Sequence, residues 1–159
     1  MVIHEIITKF DYFYETVKTL TYYLNFDNMK KDIQILEVKE VFVAVVQEQH
    51  PDYKTDDWNA YIINNKDIDL DTVLIVSKGY SEDKVTPVMR HTIKLLPARS
   101  YAKIEFMQHD VLQLNNEFKV TFFEGNQMFD KTFTFRKNTI NLKALQALPL
   151  MEAKGVLVK

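Results

Sequence analysis

The sequence predicts a mainly β protein, an antiparallel β-sandwich, with one amphipathic helix at its N-terminus. After Met29, short apolar runs alternate with polar residues at a period of two, as strands do. Turn residues separate these runs, without the helical patterns that crossovers between parallel strands need. Before Met29, apolar residues recur at helical spacing. We therefore divide the chain into an N-terminal helix, 1–28, and a single sandwich domain, 29–159.

The N-terminal segment carries a broad apolar stripe at steps of three and four residues. Its members are Ile3, Ile6, Ile7, Phe10, Phe13, Tyr14, Val17, Leu20 and Leu24. Charged residues such as Glu5 and Lys18 face away from the stripe. This helix is expected to pack on the domain or on a second copy of the chain. An alternative is that translation begins at Met29, which would make residues 1–28 an upstream extension of the reading frame.

The first part of the domain contains five predicted strands. They are Ile33–Val46, Trp58–Ile63, Thr72–Ser77, Val88–Leu95 and Ser100–Phe106. Thr72–Ser77 has apolar side chains on both faces, which is typical of a buried central strand. The last two runs flank a four-residue connection, 96–99, and its hairpin length predicts that they pair with each other.

A second hairpin follows, formed by Phe118–Phe122 and Phe129–Arg136, in which phenylalanine and valine alternate with polar residues. Gly125 lies between them and can adopt the positive φ that a tight turn needs. Lys131 shares a face with the phenylalanines, where an inward charge protects an edge strand and its stem can lie along the rings. Residues 138–148 are expected to form a helical turn or a loop, and Gly155–Val158 a last strand.

About seven or eight such strands resemble an immunoglobulin-like sandwich in architecture. The cysteine pair of that fold is missing, since the 159-residue chain contains no cysteine. This composition excludes thiolate nucleophiles, thiolate zinc sites, iron–sulfur clusters and disulfides. The three glycines lie too far apart for a phosphate-binding loop, and the four histidines form no local pair. No cofactor is expected.

Charge and targeting patterns point to the cytoplasm. The formal net charge of −2 gives no overall attraction to nucleic acid or to an anionic membrane. The longest apolar run, Val41–Val46, is far shorter than the roughly 20 residues that span a bilayer. The first residues lack the cations of a secretory signal, and the missing cysteines fit a reducing compartment.

One candidate binding surface is basic. It consists of Arg90, Lys94, Arg99, Tyr101 and Lys103, which lie on the two strands predicted to pair. Cations next to an aromatic ring suit a phosphate, a nucleic-acid strand or an acidic protein. Simple alternation places Glu105 on the same face, which weakens the positive charge there. The alternative is an ordinary solvated sheet face.

Two acidic groups are candidates for metal binding or hydrolysis. Asp67, Asp69 and Asp71 would point to one side of an extended segment and could hold a hard cation such as calcium. A second group, Asp52, Asp56 and Asp57, precedes Trp58, and acids so close together can raise one another's pKa. Solvated turns are the alternative for both groups.

His91 alternates with Met89 and Ile93, which places it on the inward face as a hydrogen-bonded core residue rather than a base or ligand. Ser77 has no G-x-S-x-G context, so no nucleophile is predicted.

Several segments, Trp58–Asn64, Val73–Tyr80, Met89–His91, the hairpin around Lys131 and Lys154–Val156, resemble small uncharacterised bacterial proteins of Bacteroidetes type. The resemblance covers most of residues 40–158. Some of these proteins are labelled phenylalanyl-tRNA synthetase, but this chain is too short for that enzyme and has no glycine-rich, arginine-bearing ATP motif. The resemblance implies a shared fold, and it transfers no functional residues.

The favoured function is therefore a non-catalytic protein that binds another protein, or itself, through a strand edge or the aromatic helix. One alternative is nucleic-acid or phosphate binding on the basic face, although nucleic acid is not the expected partner. The other is a metal-dependent hydrolase that uses the aspartate-rich turns.

Overall fold

A computed structural model describes residues 36–158, and the predicted N-terminal helix lies outside these described residues. The strands are β1 Val41–Gln49, β2 Asp56–Asn64, β3 Leu70–Tyr80, β4 Met89–Leu96, β5 Ser100–Met107, β6 Asn115–Glu124, β7 Gln127–Phe135, β8 Gln146–Leu148 and β9 Met151–Val158. Two short 3-10 helices, Val111–Gln113 and Leu142–Ala144, precede β6 and β8. The mainly β prediction is confirmed.

The strands form two antiparallel sheets. The five-stranded sheet has the order β5-β2-β1-β9-β8, and the four-stranded sheet has the order β4-β3-β6-β7. The chain changes sheet after β2, β4, β5 and β7. As a result, β4 and β5 follow each other in the sequence but are edge strands of different sheets.

The inner faces of the two sheets share one apolar core. The four-stranded sheet supplies four fully buried phenylalanines, and the five-stranded sheet supplies mostly β-branched side chains that fit a pleated surface. The core includes Val43, Val45, Ile62, Val73, Ile75, Phe118, Phe122, Phe133 and Phe135. Burial of apolar area stabilises the fold by about 25 cal/mol per Å². These aromatic rings provide the cohesion that a domain without disulfides needs.

The second predicted hairpin is confirmed in β6 and β7. Glu124 pairs with Gln127, which leaves Gly125 and Asn126 as the two turn residues. Gly125 has a φ of 58°, the positive value that a two-residue hairpin turn requires at its first central position. Lys131 lies on the inward face of the edge strand β7, as predicted, with Nζ 5.1 Å from the Phe133 ring centroid.

The first predicted hairpin is wrong. β4 pairs with β3, where Ile75 lies opposite His91, and β5 pairs with β2, where Ile62 lies opposite Ala102. Residues 97–99 instead turn a corner between the sheets. Arg99 has a φ of 50°, and the Asn64 side chain donates a 2.9 Å hydrogen bond to the Pro97 carbonyl. A connection of hairpin length is also long enough for such a corner, so its length alone does not decide the pairing.

Candidate functional site: a cleft between two edge strands

A recess opens where the edge strands β4 and β5 face each other. It has a volume of about 530 Å³, within the range of ligand-binding clefts. One wall is the 81–88 loop, which is tied to the end of β3. The Thr86 amide donates to the Gly79 carbonyl at 2.9 Å, and the Gly79 amide donates to the Thr86 hydroxyl at 2.8 Å. Two hydrogen bonds between Thr86 and Gly79 therefore hold the wall against β3.

Gly79 is required at this wall because of close packing. A Cβ at this position would lie 3.1 Å from both a Leu114 methyl group and the Thr86 methyl group, tighter than ordinary van der Waals contact. A side chain here would push the loop away from β3. The glycine thus allows the 81–88 loop to pack directly against the strand.

Three polar side chains from three strands meet at Glu105, which lines the floor of the cleft together with Ser77. The Ser77 hydroxyl on β3 donates to Glu105 Oε2 on β5 at 2.9 Å. His91 Nε2 on β4 lies 2.6 Å from the same oxygen. Ser77 is buried, and the side chains of His91 and Glu105 keep 23% and 19% of their exposure. One carboxylate therefore connects the two sheets and still lines the cleft.

Glu105 reaches this position because of a β-bulge. The pairing of β2 with β5 shifts between Ala60 and Tyr61, so that Ala60 lies opposite Glu105 and Tyr61 opposite Lys103. Ile104 is the extra residue. Strict alternation predicted that Glu105 and Lys103 share a face, and this prediction is wrong because the bulge turns Glu105 inward. The sequence of β5 carries no glycine or proline that signals the irregularity.

The rim of the cleft is apolar and exposed. Val85 in the wall keeps 68% of its exposure, Met89 at the start of β4 keeps 51%, and Phe106 on β5 keeps 52%. Val88 extends this group along the loop and is exposed as well. Exposed apolar side chains scattered singly are common, whereas here several surround one recess.

The polar group at the floor does not form a nucleophile–base pair. Ser77 and His91 both bond Glu105, and no hydrogen bond joins Ser77 to His91 within residues 36–158. A serine nucleophile needs its hydroxyl directed at the base. His91 is inward and hydrogen-bonded, as predicted. The arrangement is suited to accepting hydrogen bonds from a bound group rather than to acyl transfer.

The residues of the predicted basic surface are distributed over several places. Arg90 and Lys94 are exposed on the outer face of β4, while Tyr101 and Lys103 are exposed on the outer face of β5 in the other sheet. Arg99 lies in the corner between the sheets, where its Nε donates to Asp67 at 2.7 Å and its Nη1 donates to Asn65 at 3.0 Å. Since β4 and β5 do not pair, the five residues do not share one sheet face.

The first acidic group takes part in contacts between loops. Asp67 accepts from Arg99, and this hydrogen bond, followed by the attraction of the guanidinium, lowers the pKa of Asp67. Asp69 accepts from the Ala98 amide at 2.7 Å. Asp71 is the second residue of β3. Among residues 36–158, no three histidine, aspartate or glutamate side chains are grouped so that they could hold a metal ion.

The second acidic group lies next to β2. Asp52 precedes the strand on an exposed turn, and its amide donates to His50 Nδ1 at 3.2 Å. Asp56 and Asp57 are the first two residues of β2, and Asp57 accepts a 2.9 Å hydrogen bond from Thr55. No carboxylate of this group lines the cleft.

A second polar cluster lies on the outer face of the five-stranded sheet. Glu48 Oε2 accepts from Asn59 at 2.9 Å and from the Tyr61 hydroxyl at 2.8 Å. Burial raises the pKa of Tyr61, and the hydrogen bond to Glu48 raises it further. Asn59 Oδ1 is buried and accepts no hydrogen bond within the described residues. No sequence pattern pointed to this cluster.

Comparisons with known proteins do not place the chain in a family. No protein-family model matches the chain, and the search of curated proteins finds no match. Among the described residues, none of the helices has the length and apolar character that crossing a bilayer requires.

Proposed function

We propose that this chain is a non-catalytic, immunoglobulin-like β-sandwich that binds an extended segment of a partner protein along β4. The observation that carries the proposal is that, within residues 36–158, the unpaired edges of β4 and β5 and an apolar-rimmed cleft meet at one place. A strand edge offers free backbone groups to an added strand, and a neighbouring cleft accepts alternate side chains of that strand. The missing cysteines support a cytoplasmic location for this interaction.

The strand order supports the immunoglobulin-like part of the proposal. The neighbours β1, β2 and β5 correspond to strands A, B and E of that fold. The order β4-β3-β6-β7 corresponds to C′, C, F and G in the facing sheet. Strands β8 and β9 extend the first sheet beyond β1. In this correspondence the cleft lies between C′ and E, where each sheet ends.

A different protein fits the β4 edge better than a second copy does. If two β4 strands paired antiparallel about Thr92, Arg90 of each copy would face Lys94 of the other. Like charges directly opposite in a ladder are destabilising. A partner segment with neutral or acidic residues at these positions avoids this repulsion.

A peptide-display experiment tests the proposal. Random peptides selected on the whole protein should include a group whose binding is weakened about tenfold by Met89→Ser, since a buried thioether side chain is lost from the contact. Met128→Ser is the matched control, because Met128 is an exposed methionine on β7, the opposite edge strand of the same sheet. Selected peptides that lose as much affinity with Met128→Ser as with Met89→Ser would contradict the proposed site, and so would a selection without binders.

A further inference from the structure

We infer that the partner segment places a basic side chain, lysine or arginine, against Glu105 and acidic side chains against Arg90 and Lys94. The inference depends on the proposed binding along β4 and adds the chemistry of the segment. Three observations on residues 36–158 carry it: a carboxylate oxygen in the cleft that accepts no hydrogen bond, anionic partners for the lysines around it, and two cations on the outer face of β4 that form no ion pair.

The first observation concerns the hydrogen bonds of Glu105. Its Oε2 accepts from Ser77 and lies against His91, whereas Oε1 accepts no hydrogen bond within residues 36–158. The side chain is four-fifths buried and lines the cleft. A carboxylate in this position can accept further donors, and hydrogen bonds from cations to carboxylates are about twice as strong as neutral ones. An acidic ligand group would instead be repelled there.

The second observation concerns the other charges that line the cleft. Lys78 pairs with Glu117 on β6 at 3.2 Å, and Lys84 pairs with Asp110 at 3.7 Å. Both lysines therefore already have anionic partners. Glu105 is held by a hydroxyl group and an imidazole, which leaves it as the acceptor toward which a ligand cation would be drawn.

The third observation concerns the outer side of β4. Arg90 and Lys94 are exposed and form no ion pair within residues 36–158. Side chains of an added strand would alternate, with one set directed into the cleft beside His91 and the other set beside Arg90 and Lys94. With a basic residue opposite His91, its two acidic neighbours would lie opposite Arg90 and Thr92, and the second of them would be diagonal to Lys94. A segment that alternates acidic, basic and acidic residues therefore complements both sides of the strand.

Synthetic peptides test this chemistry on the whole protein. The main probe is a blocked seven-residue peptide with lysine at its centre, glutamate on both sides of the lysine, valine at the second and sixth positions and threonine at both ends. The comparison probe has norleucine at its centre, which keeps the carbon chain of lysine and removes the charged ammonium group. We expect the lysine probe to bind about tenfold more tightly, as for a hydrogen bond to a charged group. The difference should shrink as salt is added.

The Glu105→Gln variant tests whether Glu105 causes the preference for the lysine probe over the norleucine probe. The variant should bind both probes equally and should leave the affinity for the norleucine probe unchanged. Arg90→Gln combined with Lys94→Gln should weaken both probes to the same extent, because both carry the flanking glutamates.

Two outcomes separate this inference from the proposed function. Equal affinity of the wild-type protein for both probes, each weakened by Met89→Ser, would overturn the basic anchor while the β4 site stands. Failure of both probes to bind would overturn the inferred pattern, and the display selection would then decide the proposed function independently. If Glu105→Gln does not fold, the comparison of the two probes on the wild-type protein still decides the inference.

Discussion

The outer faces of the two sheets differ sharply. On the four-stranded sheet, the outer face carries ion pairs, with Lys78 bonded to Glu117 at 3.2 Å and Lys119 to Asp130 at 3.5 Å. The outer face of the five-stranded sheet carries an apolar cluster around Ala44, Val46, Ile63 and Leu148, all buried. An antiparallel sheet commonly has one apolar and one polar face. The outer face of the five-stranded sheet is apolar and buried around these four residues, so a new charge there should be tolerated less well than on the outer face of the four-stranded sheet.

The largest expected effect comes from placing a charge on each face. Val46→Lys should destabilise the fold by about 4 kcal/mol, because Val46 is fully buried and an ammonium group there would lose its hydration. Thr132→Lys on the exposed outer side of β7 is the matched change and should alter stability by less than about 0.5 kcal/mol. Urea unfolding measures both variants. If both variants were destabilised to a similar extent, the two outer faces would not differ in their tolerance of charge.

The next largest change in stability comes from substituting two glycines, one in β9 of the five-stranded sheet and one in the β6–β7 turn of the four-stranded sheet. Gly155 on β9 lies opposite Val46, and a Cβ there would lie 2.8 Å from both the Val45 carbonyl oxygen and a Leu148 methyl group. Gly155→Ala should therefore cost about 3 kcal/mol, since the backbone itself must move. Gly125→Ala has open space around the new methyl group, so it should cost only about 1 kcal/mol for its positive φ. Thermal melting should rank the two variants in this order, and the reverse order would contradict the close packing around Gly155.

Local patterns in the sequence predicted the strands well, because each depends on a few neighbouring residues. Phe118–Phe122, Gly125 and Phe129–Arg136 together specify both strands of the β6–β7 hairpin and its turn. Thr72–Ser77 lies within β3, which is a central strand as predicted. The first predicted strand is displaced, since Ile33–Val46 was expected and β1 runs from Val41 to Gln49.

Contacts between distant residues could not be predicted in the same way. The pairing of β4 with β3 rather than β5 depends on a corner fixed by Asn64, more than 30 residues before it in the chain. The position of Glu105 at the floor of the cleft depends on the bulge at Ile104, and no residue type in β5 predicts this bulge. Ser77 and His91 were each noted in the sequence, but only the two-sheet arrangement brings them to Glu105. Alternation fixes a face within one strand, whereas a site built from three strands depends on register and on the order of the sheets.

The smallest expected change in stability comes from the corner between the two sheets, where Arg99 donates a hydrogen bond to Asp67. The hydrogen bond from Arg99 lowers the pKa of Asp67 below its ordinary value of 3.8, so the unfolded chain binds this proton more readily than the folded protein does. The pair therefore stabilises the fold fully above pH 3.8, and this contribution is lost as the pH falls through the lowered pKa.

Asp67→Asn should reduce stability slightly at pH 7, because an exposed ion pair is screened by solvent. The difference from the wild-type protein should shrink as the pH falls toward 2, where the wild-type carboxyl group is protonated as well. Urea unfolding at pH 7 and at low pH measures this difference, and Asp52→Asn is a control, since no ion pair of Asp52 is found in residues 36–158. A difference that grows at low pH would contradict the pairing. A difference that is as small at pH 7 as at low pH would show that the Asp67–Arg99 pair does not stabilise the fold.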